Sequence, residues 1–162
     1  MTSRLLVDKI EGKSTSSHVI MPVGHVLQVQ RATLNSTGHQ SFSSTSFATS
    51  ALSVSLTPKA SGNKVMVQCT IGMAAQFTSS NAQTALYIDG SNVSSNDGSI
   101  SYYWGGYWDT TYNYHGATGY YEYTTVDTNA HTFALYCKVY AGGTFSLHKG
   151  ASHSLVCTEV QG

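Results

Sequence analysis

The sequence predicts an all-β chain folded as a two-layer sandwich, and three observations carry that expectation. First, apolar residues recur every second position in several short runs, Leu52-Ser53-Val54-Ser55-Leu56-Thr57 being the strictest, which is the period of a half-buried strand. Second, turn-forming clusters punctuate these runs every 8 to 12 residues or so, the spacing of sandwiches and barrels. Third, no window of about 11 residues shows the 3.6-residue apolar period of an amphipathic helix. Composition agrees. Charged residues make up 10% of the 162, hydrophobic residues 41%, and serine and threonine together number 42. Such a chain suits strands better than solvated helices and is too apolar for disorder.

The elements follow in order. Residues 4–10, Arg-Leu-Leu-Val-Asp-Lys-Ile, and the short apolar run His18 to Met21 flank a Gly/Ser-rich turn and end at Pro22. Together they have too little apolar surface to fold alone, so residues 1–23 are expected to be an arm that docks elsewhere, with residues 24–162 as the folded domain. His25 to Arg31 alternates, with Leu27 and Val29 expected on the core face and Gln28 and Gln30 opposite. A polar stretch, Asn35 to Ser50, has Phe42 and Phe47 as its large anchors. Strands are then expected at Leu52–Thr57 and at Lys64–Ile71, the latter with Val65, Val67, Cys69 and Ile71 inward. Thr84 to Asp89 is another, closed by Asp89-Gly90, a tight hairpin signal. The aromatic-rich stretch should supply two strands around Asp109 to Asn113. His131 to Tyr140 turns Phe133, Leu135, Cys137 and Val139 inward, Thr144 to Lys149 turns Phe145 and Leu147 inward, and His153 to Val160 closes the chain. The core read from these runs extends from Leu27 and Val54 through Val67, Leu86 and Leu135 to Leu155.

The stretch Ser101 to Tyr123 stands apart, holding eight of the eleven tyrosines and both tryptophans. Rings in that number exceed the needs of one small core. They point either to a seam between subunits, where polar ring tips remain hydrogen-bonded, or to a recognition surface, since Tyr and Trp give large contact area at low entropic cost. The candidate interface or glycan-binding residues are Tyr102, Tyr103, Trp104, Tyr107, Trp108, Asp109, Tyr112 and Tyr114. Alternate rings near Tyr120 to Tyr123 are expected to pack inward or at a seam, and those from Trp104 to Tyr114 to occupy a strand-connecting loop at the outer end. The candidate arm residues are Leu5, Leu6, Val7, Ile10, Val19 and Ile20.

Several chemistries find no support in the sequence. Eight basic and eight acidic residues cancel, so the basic stripe that nucleic-acid binding requires is missing. No run approaches the roughly 20 apolar residues of a membrane-spanning helix, and no signal-peptide pattern is present. There is no G-x-S-x-G elbow and no zinc-type spacing of Cys or His; His148 and His153 are separated by a glycine-bearing turn and read as surface or core-edge residues. Asp97 is a single carboxylate in its loop, too few for calcium, and Gly105-Gly106 lacks the helix of a phosphate cradle. Asp109 and Glu122 could imitate a glycosidase pair, although carboxylates among rings more commonly satisfy tyrosine hydroxyls. Cys69, Cys137 and Cys157 all fall in the apolar phase of their strands and are expected to be buried free thiols. The expectation is a non-enzymatic protein without metal or cofactor.

Three segments carry a resemblance: Leu5-Leu6-Val7-Asp8-Lys9-Ile10 running to Val19-Ile20-Met21-Pro22; Gly24-His25-Val26-Leu27-Gln28-Val29-Gln30; and Leu52 to Lys59 followed by Asn63-Lys64-Val65-Met66-Val67. The closing Ser154 to Val160 fits the same pattern, which resembles a domain of tailed-bacteriophage virion proteins, especially fibre-like and decoration proteins of marine and cyanobacterial phages. It leaves out residues 75–125 or so. The resemblance implies a homotrimeric jelly-roll head similar in architecture to the C1q and tumour-necrosis-factor class. It also implies a virion location after assembly in the host cytoplasm, and partners in the major capsid protein or other virion proteins. A capsid decoration (cement) protein with the arm gripping the shell is the first expectation; a tail-fibre tip binding host glycan is the second.

Overall fold

The structure, a computed structural model, describes residues 23–34, 40–76, 82–93, 101–103, 113–139, 143–147 and 152–162. Residues 1–22 of the candidate arm lie outside them, as do Trp104, Tyr107, Trp108, Asp109 and Tyr112. Every described element is a strand: β1 Val26–Leu34, β2 Gln40–Phe42, β3 Ala48–Leu56, β4 Lys64–Gln76, β5 Ala82–Ile88, β6 Ser91–Asn92, β7 Ser101–Tyr103, β8 Asn113–Thr124, β9 His131–Val139, β10 Thr144–Leu147 and β11 His153–Val160. All pairings are antiparallel.

Two sheets face each other. In the first, β4 is the spine: β8 runs along one of its edges, and the other edge carries β11 and then β10, extended outward by β1 and β2 respectively. The second runs β3-β9-β5, with β6 and β7 on the outer edge of β5. The core lies between, built from the alternate residues the strand period selects. Leu52, Val54 and Leu56 of β3 face Val65, Val67, Cys69 and Ile71 of β4, with Leu86, Phe133, Leu135, Cys137, Val139, Leu147, Leu155 and Cys157 filling the middle. Each such side chain contributes about 1.5–3 kcal/mol on burial.

One expected phase is reversed. A register shift between Val26 and Gln28 inserts Leu27 as an extra residue in β1, and a one-residue slip exchanges the two faces of a strand. Beyond it Val29 is 54% exposed, Gln28 turns towards β11 and hydrogen-bonds Glu159, and Ala32 and Leu34 pack on the core. Leu27 and Val29 therefore are not core residues; β1 contributes Ala32 and Leu34 instead.

The sandwich has two poles. At the near pole β1 begins, β11, β8, β3 and β5 end, and β4 and β9 begin; Gly24 N–H bonds the Gln161 carbonyl there at 2.8 Å. The hairpin Ile88-Asp89-Gly90-Ser91 caps β5 at this pole. Its two central residues have φ of 50° and 78°, the left-handed pair that a twisted two-residue hairpin demands and that Asp-Gly adopts readily. The far pole lies about 40 Å away, the length of the 13-residue β4 at the usual strand rise.

Candidate interface on the outer face of the larger sheet

The aromatic stretch does not form one hairpin. Its two strands belong to different sheets, β7 pairing with β5 and β8 with β4. Both Tyr103, the end of β7, and Asn113, the start of β8, stand at the far pole, opposite Ala82 and Ala75. For Tyr102, Tyr103 and Tyr114 the backbone alone is described.

From Thr118 to Thr124, β8 divides its rings as its alternation requires. Tyr121 and Tyr123 turn inward and pack against the core, Tyr123 meeting Phe133 edge-on at 5.8 Å and the His131 ring at 5.4 Å. Tyr120 turns outward and is 57% exposed. The pairing register places its neighbours. One outward row crosses the sheet as Val29, Thr158, Met66 and Glu122; the next runs Arg31, Val156, Gln68 and Tyr120; below them Val26 pairs with Val160, and Val160 with Lys64. Val26, Val29, Met66 and Tyr120 are exposed by 50, 54, 38 and 57%, so four of the six large exposed hydrophobics among the described residues share one face. Thr33, Ser154, Thr70 and Thr118 form a hydroxyl row above them. The charges here are sparse and partly neutralised: Lys64 Nζ bonds Glu122 Oε1 at 2.5 Å, which holds the lysine pKa above its ordinary value.

Beneath this face the near pole is tied by two polar clusters. Glu159 is fully buried. Its Oε1 accepts from Lys59 N–H at 2.8 Å and Asn63 Nδ2 at 2.6 Å, and its Oε2 from Gln28 Nε2 at 2.5 Å. Gln28 Nε2 also reaches the Thr57 carbonyl at 2.7 Å. A buried carboxylate is tolerable only when its lone pairs are met in this way, and here neutral donors from β1 and the β3–β4 connection meet them.

The second cluster centres on His131, whose side chain is 7% exposed. Nδ1 lies 2.6 Å from Asp89 Oδ2 on the β5–β6 hairpin. Nε2 lies 3.2 Å from Asp127 Oδ1 on the β8–β9 connection, in an orientation that closes no hydrogen bond. Burial disfavours the charged form of Asp89, but hydrogen bonds from His131 and from Thr132 N–H, with the imidazole beside it, outweigh that and hold its pKa below the ordinary value. Asp127 is likewise lowered, chiefly by hydrogen bonds from the backbone and side chain of Asn129. The ring nitrogens face separate carboxylates on opposite sides, which braces two loops and does not converge on a substrate or ion. Among the described residues no group of three or more His, Cys, Asp or Glu side chains is placed to hold a metal ion.

Other candidates fall where the strand phases put them. Cys69, Cys137 and Cys157 are buried and unbridged, and burial pushes the Cys69 and Cys157 thiols up to about 12 and Cys137 well above its usual value. His153 is fully buried, an interior residue whose Nδ1 accepts from Gly72 N–H at 3.1 Å. Glu122, one half of the imagined glycosidase pair, sits on the outer face bound to Lys64, while Asp109 and His148 lie outside the described residues. Sequence reasoning missed Glu159 and His131, yet both share the inward parity of their strands, with Leu155 and Cys157 and with Phe133 and Leu135. A charged or titratable residue in an apolar phase was the available signal. No protein-family model matches the chain, and no curated protein matches it.

Proposed function

We propose that this chain is a non-enzymatic structural protein of a tailed-bacteriophage particle, a homotrimeric capsid decoration protein with a jelly-roll body. The observation that carries the self-association is the outer face of the larger sheet. Val26, Val29, Met66 and Tyr120 stand exposed on one side of three adjacent strands and the β1 edge beside them. Exposed large apolar side chains gathered on one face, rather than scattered singly, are a common mark of an interface. The strand orders β1-β11-β4-β8 and β3-β9-β5-β6 support the jelly roll, because consecutive strands largely alternate between the two sheets.

The placement of the chain's two remaining features supports display on a surface. The candidate arm, with Leu5, Leu6, Val7, Ile10, Val19 and Ile20, joins the body at Val23, the near pole, whereas residues 104–112 are bracketed by Tyr103 and Asn113 at the far pole. In this reading the arm holds the shell, through the major capsid protein, and the aromatic segment is presented outward. That outward position also favours a second reading, a fibre tip whose rings bind host glycan.

Antibody-labelled electron microscopy of particles carrying this protein tests the proposal. Label arrayed over heads is the expected result. Label confined to tails would replace the first reading with the second, and label absent from particles would sink both.

A further inference from the structure

A sheet edge is a row of unmet backbone donors and acceptors, and folded proteins blunt such edges with bulges, very short strands or covering segments. Here most margins are blunted. β1 carries a register shift between Val26 and Gln28, and β3 one between Thr49 and Ser53. β2, β6 and β7 are three, two and three residues long. β8 is the exception: it is 12 residues long, pairs with β4 without any register shift, contains no proline, and has no second partner strand among the described residues.

We propose that the free edge of β8 pairs antiparallel with β8 of a second copy of this chain, about a twofold axis at Tyr121. The sequence of the edge is self-complementary in that register. Tyr121 opposes its own copy, Tyr120 opposes Glu122, Gly119 opposes Tyr123, and Thr118 opposes Thr124. Opposed residues of an antiparallel pair point to the same face, so each glutamate meets a tyrosine instead of the other glutamate, and like charges are kept apart. On the inner face the Tyr123 ring of the second copy comes to lie over Gly119. Gly119 places no side chain there, beside Val67, Cys69, Leu86 and Tyr121. Tyr121 and Tyr123, half-buried at the open margin, gain cover from the same pairing.

This contact runs along the backbone edge of β8 and shares Tyr120 and Glu122 with the outer face, and it does not rest on the virion reading. A twofold edge contact joins neighbouring oligomers, whereas a threefold seam closes one.

The test uses the full-length protein in solution and two single variants, Thr118→Cys and Thr124→Cys, at exposed positions that leave the core untouched. Directly opposed strand residues lie within the span a disulfide bridges, and the native thiols are buried. Under mild oxidation the mixture of the two variants should yield a disulfide-linked pair of chains that neither variant gives alone. Equal cross-linking by each variant alone, or none in the mixture, would overturn the proposal, and either outcome leaves the location on a particle unaffected.

Discussion

Replacing Glu159 probes the joint that fastens β1 and the β3–β4 connection to β11. The carboxylate is fully buried and accepts three hydrogen bonds, from Lys59 N–H, Asn63 Nδ2 and Gln28 Nε2. Glu159→Ala removes every acceptor at once. Asn63, 1% exposed, then holds a buried amide with no acceptor in reach, and a small cavity opens beside it. Each hydrogen bond to a charged group is worth roughly 1.5–3 kcal/mol, but the terms are not additive and the carboxylate regains hydration in the unfolded chain. The expected loss is about 3–5 kcal/mol, in the upper tail of single-residue effects. Glu159→Gln should cost less, about 1–2 kcal/mol. Its amide oxygen can still serve Lys59 and Asn63, while its amide nitrogen faces the Gln28 amide, which must turn over and give up the Thr57 carbonyl. Urea unfolding at fixed protein concentration, followed by tryptophan emission and circular dichroism, measures both variants. At about 2–4 °C per kcal/mol for a domain of this size, the alanine variant should melt roughly 6–20 °C below wild type. Equal stability of all three proteins would refute the reasoning, and so would a glutamine variant weaker than the alanine one.

Further expectations concern acid, thiols and the outer face. Because Asp89 and Asp127 have lowered pKa values in the folded protein, the stability they confer is complete above their unfolded values, near 4, and is lost as pH falls through the folded ones. Asp89→Asn should therefore flatten the acid limb of a stability–pH curve below about pH 4, and an unchanged limb would contradict the Asp89–His131 contact. Cys69, Cys137 and Cys157 should resist a thiol-specific disulfide reagent at pH 8 in the native protein and react together in denaturant, since burial raises all three thiols well above their usual range and keeps them protonated; fast reaction of any one in the native state would place it at the surface. Met66→Arg puts a charge in the middle of the outer apolar row and should weaken self-association by ten- to a hundred-fold or so, about 1.5–3 kcal/mol, the worth of burying one such side chain. Sedimentation velocity across a dilution series reads that loss directly.

How far the sequence could be read depended on where one strand's phase could be carried without interruption. In β3, β4, β9 and β11 alternation gave the inward set residue by residue, because those strands are buried on one face and a slip would expose every apolar side chain. In β1 the same logic pointed Val29 the wrong way, since a single inserted residue at Leu27 leaves no mark in composition. β4 proved longer than its alternation, running on through Gly72 to Gln76, where the small residues Ala74 and Ala75 carry no phase signal and pairing with β10 and β8 sustains the strand. The Asp89-Gly90 hairpin was legible because local backbone chemistry alone decides it. The outer face was not, as it exists only once the register of β1, β11, β4 and β8 gathers Val29, Met66 and Tyr120 on one side of the sheet. Tyr120 to Tyr123 divided between core and surface as their alternation requires, whereas the partnership of Asp89, Asp127 and His131 needed the fold to bring two loops to one ring.

The proposed threefold association through the outer face is tested most directly by native mass spectrometry of the full-length protein at micromolar concentration. The account expects a species of three times the 17.3 kDa chain mass, alone or in multiples of three, that dissociates when Met66 is replaced by arginine. A mass equal to a single chain, unchanged by that substitution, would contradict it.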